Sequence, residues 1–244
     1  MRRRLLGLAL PTFGVALIAL TLNTAAAQQP VRMLYGFAAG GSGDLAARLL
    51  ADVASKELGQ RVVVENRTGA NGMIAAEGAA RGPTDGSNVL FCTTGNMTIV
   101  TELPGAQLPI NPATDLIGIG QLLRSTFGLV VSKDSPYRSV QDLVADARAN
   151  PGKVSFATPG VGSVQHLSTE LLGQKIGAKM VHVPYRGSQA ALQDLLANRT
   201  SFSITNLGDV MSQVRGGELR VLAMGDDAGS PLFPDVRPIS AFVP

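Results

Sequence analysis

Short runs of apolar and β-branched residues alternate in this chain with segments whose apolar residues recur at helical spacing, and glycine-bearing turns join them. That alternation restricts the fold more than any other feature. Successive strand–helix–strand units pair as a parallel sheet with helices on its faces. "VRMLYGF" reads as a strand, and beyond it Leu45, Leu49, Val53 and Leu58 predict a helix from Asp44 to Leu58 that Gly59 ends. "RVVVEN" is a second strand, "GMIAAEGAAR" a second helix and "NVLFCTT" a third strand.

The prolines of "TELPGAQLPINPATD" then break the rhythm, so this stretch reads as a crossing between two α/β lobes. Strands are expected in "IGIGQLL" and "FGLVVS", a helix from Val140 to Ala149 introduced by Ser139, and a strand in "NPGKVSFATPG". A helix from Ser163 to Lys175 follows, then the strand "KMVHVPY", the helix "SQAALQDLLAN" and the strand "TSFSITN". The helix "LGDVMSQVRGG" and the strand "LRVLAMG" complete the series.

The N-terminal stretch lies outside this pattern. Arg2, Arg3 and Arg4 precede an apolar segment that holds Pro11 and closes on Ala25-Ala26-Ala27, the layout of a secretory signal peptide (residues 1–27) cut before Gln28. Without those arginines the 21 basic residues become 18, equal to the 18 acidic ones. A neutral body gives no charge-based reason to expect nucleic acid or an anionic membrane as partner. Cys92, the sole cysteine, rules out an internal disulfide and reads as a buried structural thiol. Two histidines and one cysteine, far apart, do not make a zinc site, so no metal is expected.

Three turns at the carboxyl ends of predicted strands lead into helices: "GFAAGGSGD", "ATPGVGSVQH" and "PYRGSQ". Ligands of open parallel sheets bind at that edge, and the first amides of a helix lack intrahelical partners and carry partial positive charge. Glycines let the backbone approach and serines add hydroxyls, a combination that suits a carboxylate or phosphate. Enzyme motifs fail on the same residues. Asp44 stands where a phosphate-binding loop needs lysine, Gln165 where a dinucleotide fingerprint needs glycine, and neither Ser42 nor Ser163 sits in a nucleophile elbow. His182 lies in an apolar strand and reads as structural, while His166 opens a helix beside a ligand-type turn. Asp44 either caps the first helix or touches ligand. Tyr185 and Arg186 either line the site or face solvent.

"FAAGGSGDLAARLLA", "LGQRVVVENRTGANGMIAAE", "ANPGKVSFATPGVGSVQHLSTEL", "MVHVPYRGSQAALQDLLA" and "SPLFPDV" together resemble, in order, the Bug family, the periplasmic solute receptors of tripartite tricarboxylate transporters. The resemblance implies a two-lobed periplasmic-binding-protein (type II) α/β fold with parallel-rich sheets and a central cleft that holds a small organic carboxylate, often a di- or tricarboxylate. It implies a monomeric receptor without catalytic residues or cofactor, which delivers its ligand to the membrane subunits of the transporter. By motif match, Phe37, Ala38, Gly40, Gly41, Ser42 and Asp44 form a first-lobe clamp, joined by Thr94 and Gly95. Gly160, Gly162, Ser163 and His166 form the second-lobe clamp, with Tyr185, Gly187, Ser188 and Asn206 beside it. Residues 28–100 with 224–244 would make the first lobe, left incomplete by a chain that stops before the family's C-terminal return, and residues 101–223 the second. Ala39 stands where the family commonly has proline, and Gly43 also departs from the pattern, which opens the way to a looser clamp. Two other roles stay open: a ligand-sensing adaptor docking on a membrane sensor kinase, and a serine hydrolase using Ser42 or Ser163.

Overall fold

A computed structural model describes residues 29–243; the signal-peptide reading falls outside them. Strands β1 (Val31–Tyr35), β2 (Val62–Asn66) and β3 (Asn88–Phe91) form an all-parallel sheet in the order β2-β1-β3. Helix α1 (Ser42–Leu58) carries the chain from β1 to β2, and α2 (Met73–Ala80) carries it back past β1 to β3. With β2 and β3 on opposite sides of β1, a crevice opens at the carboxyl ends of β1 and β3. Gly59, in the left-handed region (φ 61°), ends α1 as its sequence position predicts.

An apolar helical stripe ordinarily faces the core. In α1 the reverse holds: Leu45, Leu49, Val53 and Leu58 are each more than half exposed, and Asp44, Ala47 and Ala51 point inward. Ala47 and Ala51 pack against Val31, Met33 and Val62. Side chains this small let the helix lie close on the sheet, and the larger Leu45, Leu49, Val53 and Leu58 are left on the outer face.

After β3 come a π-turn (Gly95–Ile99), a 3-10 turn (Val100–Glu102) and the short helix α3 (Pro112–Asp115), capped by Asn111. Val100 and Ile110, with Leu103, Leu108 and Leu116 beside them, pack on Met73 and Ala76 of α2. Residues 101–116 therefore belong with the first lobe, a correction to a boundary at 101. The expected strand in "IGIGQLL" is absent: residues 116–126 have no regular structure, and Ile117 and Ile119 are 93% and 89% exposed. The residues have strand propensity, but no neighbouring strand supplies the ladder that would make them one.

The second lobe is built on β4 (Phe127–Ser132), which is antiparallel to both β7 (Ser203–Asn206) and β8 (Leu219–Met224). Beside β7 lie β5 (Ser155–Thr158) and β6 (Val181–Pro184), parallel to each other, with a parallel bridge from Phe156 to Phe202. Helix α4 (Val140–Ala149) starts at a capping box made by Ser139 and Asp142. The remaining helices are α5 (Val164–Ile176), α6 (Ser188–Leu196) and α7 (Leu207–Arg215). Alternation along β4 sends Leu129 and Val131 into one core, with Leu143, Phe156 and Phe202, and Val130 into another, with Leu192, Leu195 and Val210.

The closing segment also corrects an expectation. The Met224 amide donates to the Arg237 carbonyl (2.9 Å), Phe233 and Val236 pack on the α6–α7 core, and Ile239, Phe242 and Val243 on the Leu129 core. Residues 224–243 thus lie on the second lobe, not the first.

Candidate functional site

The turns after β1, β3, β5, β6 and β7 meet at one cavity of about 1360 Å³ between the lobes. It exceeds the roughly 300–1,000 Å³ of an ordinary small-molecule site because it runs on along residues 118–127. Four helices open on it through their N-terminal residues: α1 through Ser42 and Gly43, α5 through Ser163 and Val164, α6 through Ser188 and Gln189, and α7 through Leu207 and Gly208. Arg124 is the one cation and Asp209 the one anion among the described lining residues.

Of the sixteen candidate residues, Phe37, Ala38, Gly41, Ser42, Thr94, Gly95, Ser163, Ser188 and Asn206 line the cavity. The other seven support the lining from behind. Asp44 is buried and takes part in no open surface. Its carboxylate accepts from Arg48 Nε (2.9 Å) and Nη2 (3.0 Å), from Asn66 Nδ2 (2.8 Å) and from the Gly40 amide (3.1 Å). Burial acts to raise its pKa, but these donors outweigh burial and hold the carboxyl below its ordinary value. Asp44 therefore braces the turn after β1 from behind.

Tyr185 turns its hydroxyl to Asp194, itself paired with Arg199. Burial, then the Asp194 carboxylate, push the phenol up to about 12. Its backbone stays at the site: the Tyr185 amide donates to the Thr158 carbonyl (2.9 Å) and the Gly187 amide to the Pro159 carbonyl (3.1 Å), which ties the β5 and β6 turns together. His166 holds the Gly160–Ser163 turn from inside, since the Gly162 amide donates to its Nδ1 (3.2 Å). The ring stacks on His182, centroids 4.0 Å apart. Burial lowers the pKa of both rings, that of His182 to about 4 with His166 as the second cause.

Neither serine has a base. Ser163 Oγ donates to the Gly160 carbonyl (2.8 Å) and accepts from the His166 amide (3.2 Å), as an N-cap does. Ser42 Oγ accepts from Asn206 Nδ2 (2.9 Å), and the Ser42 amide donates to Asp209 Oδ1 (2.6 Å). Those two bonds join the lobes directly. Gly43 is required by contact: a methyl group there would lie 2.1 Å from the Tyr35 hydroxyl.

Tyr35, Asn71, Gln165, Gln189 and Asp209 also line the cavity and were not singled out from sequence. Asn71 had a signal, since an Asn-Gly pair between a strand and a helix marks a left-handed turn. Cys92 is exposed and lines the same cavity, contrary to its reading as a buried thiol, because the strand ends one residue before it.

A family model described as "Tripartite tricarboxylate transporter family receptor" matches residues 46–242. The chain belongs to that family. A relative from Cupriavidus necator, the UPF0065 protein in the gbd 5' region, is 35% identical over 239 residues, 94% of this chain and 70% of the relative. The solved structure of an R. palustris protein with adipate superposes with a TM-score of 0.84 at 34% identity, covering 89% of this chain and 73% of that one. MatC from Rhodopseudomonas palustris with bound malate gives 0.81 at 25% identity, covering 87% and 72%. The fold is therefore that of the periplasmic binding proteins, and the family and its structural neighbours are solute-binding proteins, not enzymes.

Proposed function

We propose that this family receptor captures a small di- or tricarboxylate between its lobes in the periplasm and delivers it to the membrane subunits of a tripartite tricarboxylate transporter. One observation carries the reading: the N-terminal residues of four helices, one from the first lobe and three from the second, open on a single cavity. Aligned peptide dipoles favour negative charge at each of those ends, although at α1 the Ser42 amide is already given to Asp209, and at α7 the Leu207 and Gly208 amides to the Thr126 carbonyl and to Asn206 Oδ1. Hydroxyls of Thr94 and Ser188 add donors, and exposed Arg124 lies along the cavity's open side. The neighbours solved with adipate and with malate support a carboxylate as the guest. Closure of the lobes on the ligand would shield its charges and present one shape to the membrane partner.

Thermal unfolding in a panel of organic acids tests the proposal. A true ligand at one hundred times its Kd raises Tm by about 5–10 °C for a chain of this size. A folded protein whose Tm no di- or tricarboxylate moves is not such a receptor.

A further inference from the structure

The segment between β2 and α2 holds four successive residues with positive φ: Gly69 (131°), Ala70 (46°), Asn71 (51°) and Gly72 (86°). Ala70 and Asn71 carry a Cβ there, and each costs on the order of 1 kcal/mol relative to a relaxed backbone. Packing fixes the segment in place. A methyl group on Gly72 would lie 2.4 Å from Asn96 Nδ2, and one on Gly36 would lie 2.3 Å from the Gly72 Cα. The chain is thus held in a conformation that its residues disfavour, and the residue it presents is Asn71.

Both polar atoms of the Asn71 side chain, Oδ1 and Nδ2, are buried and have no hydrogen-bond partner, while the residue lines the cavity between the lobes. Its surroundings come from both sides. A methyl group on Gly95 would lie 3.4 Å from Asn71 Nδ2; one on Gly162 would lie 3.8 Å from the same atom, and one on Gly160 would lie 3.9 Å from Oδ1. The amide therefore sits where the first-lobe turn after β3 meets the second-lobe turn after β5. Leaving two buried polar atoms unpaired is costly, so such a group calls for an explanation beyond packing.

We infer that Asn71 is the specificity-determining residue of the cavity, and that it selects carboxylates bearing a hydrogen-bond donor on the carbon next to the carboxylate. The inference rests on the carboxylate-receptor reading above. A carboxylate offers only acceptors, so it can satisfy Nδ2 but leaves Oδ1 unpaired. A hydroxyl or ammonium group beside that carboxylate supplies the missing donor. The side chain then makes both of its bonds to one ligand edge, while the helix N-termini take the charge. An unsubstituted chain of the same length leaves Oδ1 buried and unsatisfied, and a site built around such a donor discriminates strongly against its absence.

Calorimetric titration of the protein with malate, aspartate and succinate tests this, using Asn71→Gly and Asn71→Asp. Glycine accepts the positive φ, so Asn71→Gly removes the amide without forcing the backbone to move. Asn71→Asp keeps the shape and sets a charge against the ligand. The wild type should prefer malate or aspartate to succinate by about 10- to 100-fold, and which of the two binds tells hydroxyl from ammonium. Asn71→Gly should bring that ratio to within about threefold of unity, chiefly by weakening the substituted acids, and Asn71→Asp should weaken succinate most, since it repels the carboxylate while still accepting from a hydroxyl or ammonium. A wild type that binds succinate as well as the substituted acids, or a preference that survives Asn71→Gly, overturns the role of Asn71 alone. A wild type that binds no acid of this kind overturns the receptor reading and this inference together.

Discussion

At the scale of single residues, the Gly160–Ser163 turn of the second lobe rests on two stacked imidazoles whose pKa values burial lowers. Phe156, His182 and His166 form one stack, with 5.0 Å between the first two centroids and 4.0 Å between the last two. His182 Nε2 lies 2.6 Å from Thr158 Oγ1, and Glu170 Oε1 lies 3.8 Å from His166 Nε2. Protonating both rings would set two positive charges face to face. A histidine whose folded pKa is depressed contributes stability that is complete above its unfolded value. For His182 the contribution is full above about 6.5, declines as the pH falls, and is gone below about 4. Melting curves between pH 7 and 4 should therefore show a falling Tm, and His182→Gln should flatten that slope; an unchanged slope would show that the stack does not titrate as described. The Asp44 carboxyl, also depressed, acts in a lower window, below its ordinary 3.8.

At the scale of elements, α1 separates what a sequence states from what it leaves open. The spacing of Leu45, Leu49, Val53 and Leu58 marked the helix and its end correctly, because periodicity and a terminal glycine are local properties. Which face turns inward depends on how close the sheet lies, and there Ala47 and Ala51 win. Charged substitutions on the outer face should then cost little: Leu49→Lys is expected to change unfolding free energy in urea by about 0.5 kcal/mol or less, where a buried leucine would cost several times that. A loss of 2 kcal/mol or more would mean that the stripe is covered in the folded protein. The same reasoning explains "IGIGQLL", whose strand propensity was legible while the lack of a partner strand was not. The glycine turns were legible as anion-friendly ends of strands. The turn at Asn71 was legible, but the place of Asn71 and Asp209 in the cavity was not, because it depends on how the two lobes meet.

At the scale of the whole molecule, the lobes meet around the cavity through polar and apolar contacts. Ser42 receives Asn206 Nδ2 and gives its amide to Asp209, and a methyl group on Gly187 would lie 3.5 Å from Ala38 Cβ. The crossing residues 116–126 between the lobes are largely exposed. The most direct measurement is a crystal structure of the protein grown with the acid that raises its melting temperature most. One carboxylate should lie within hydrogen-bonding distance of main-chain amides that open α1 and α5, with a substituent of the acid against Asn71. An acid bound elsewhere on the surface, with those helix ends directed away from it, would contradict the account.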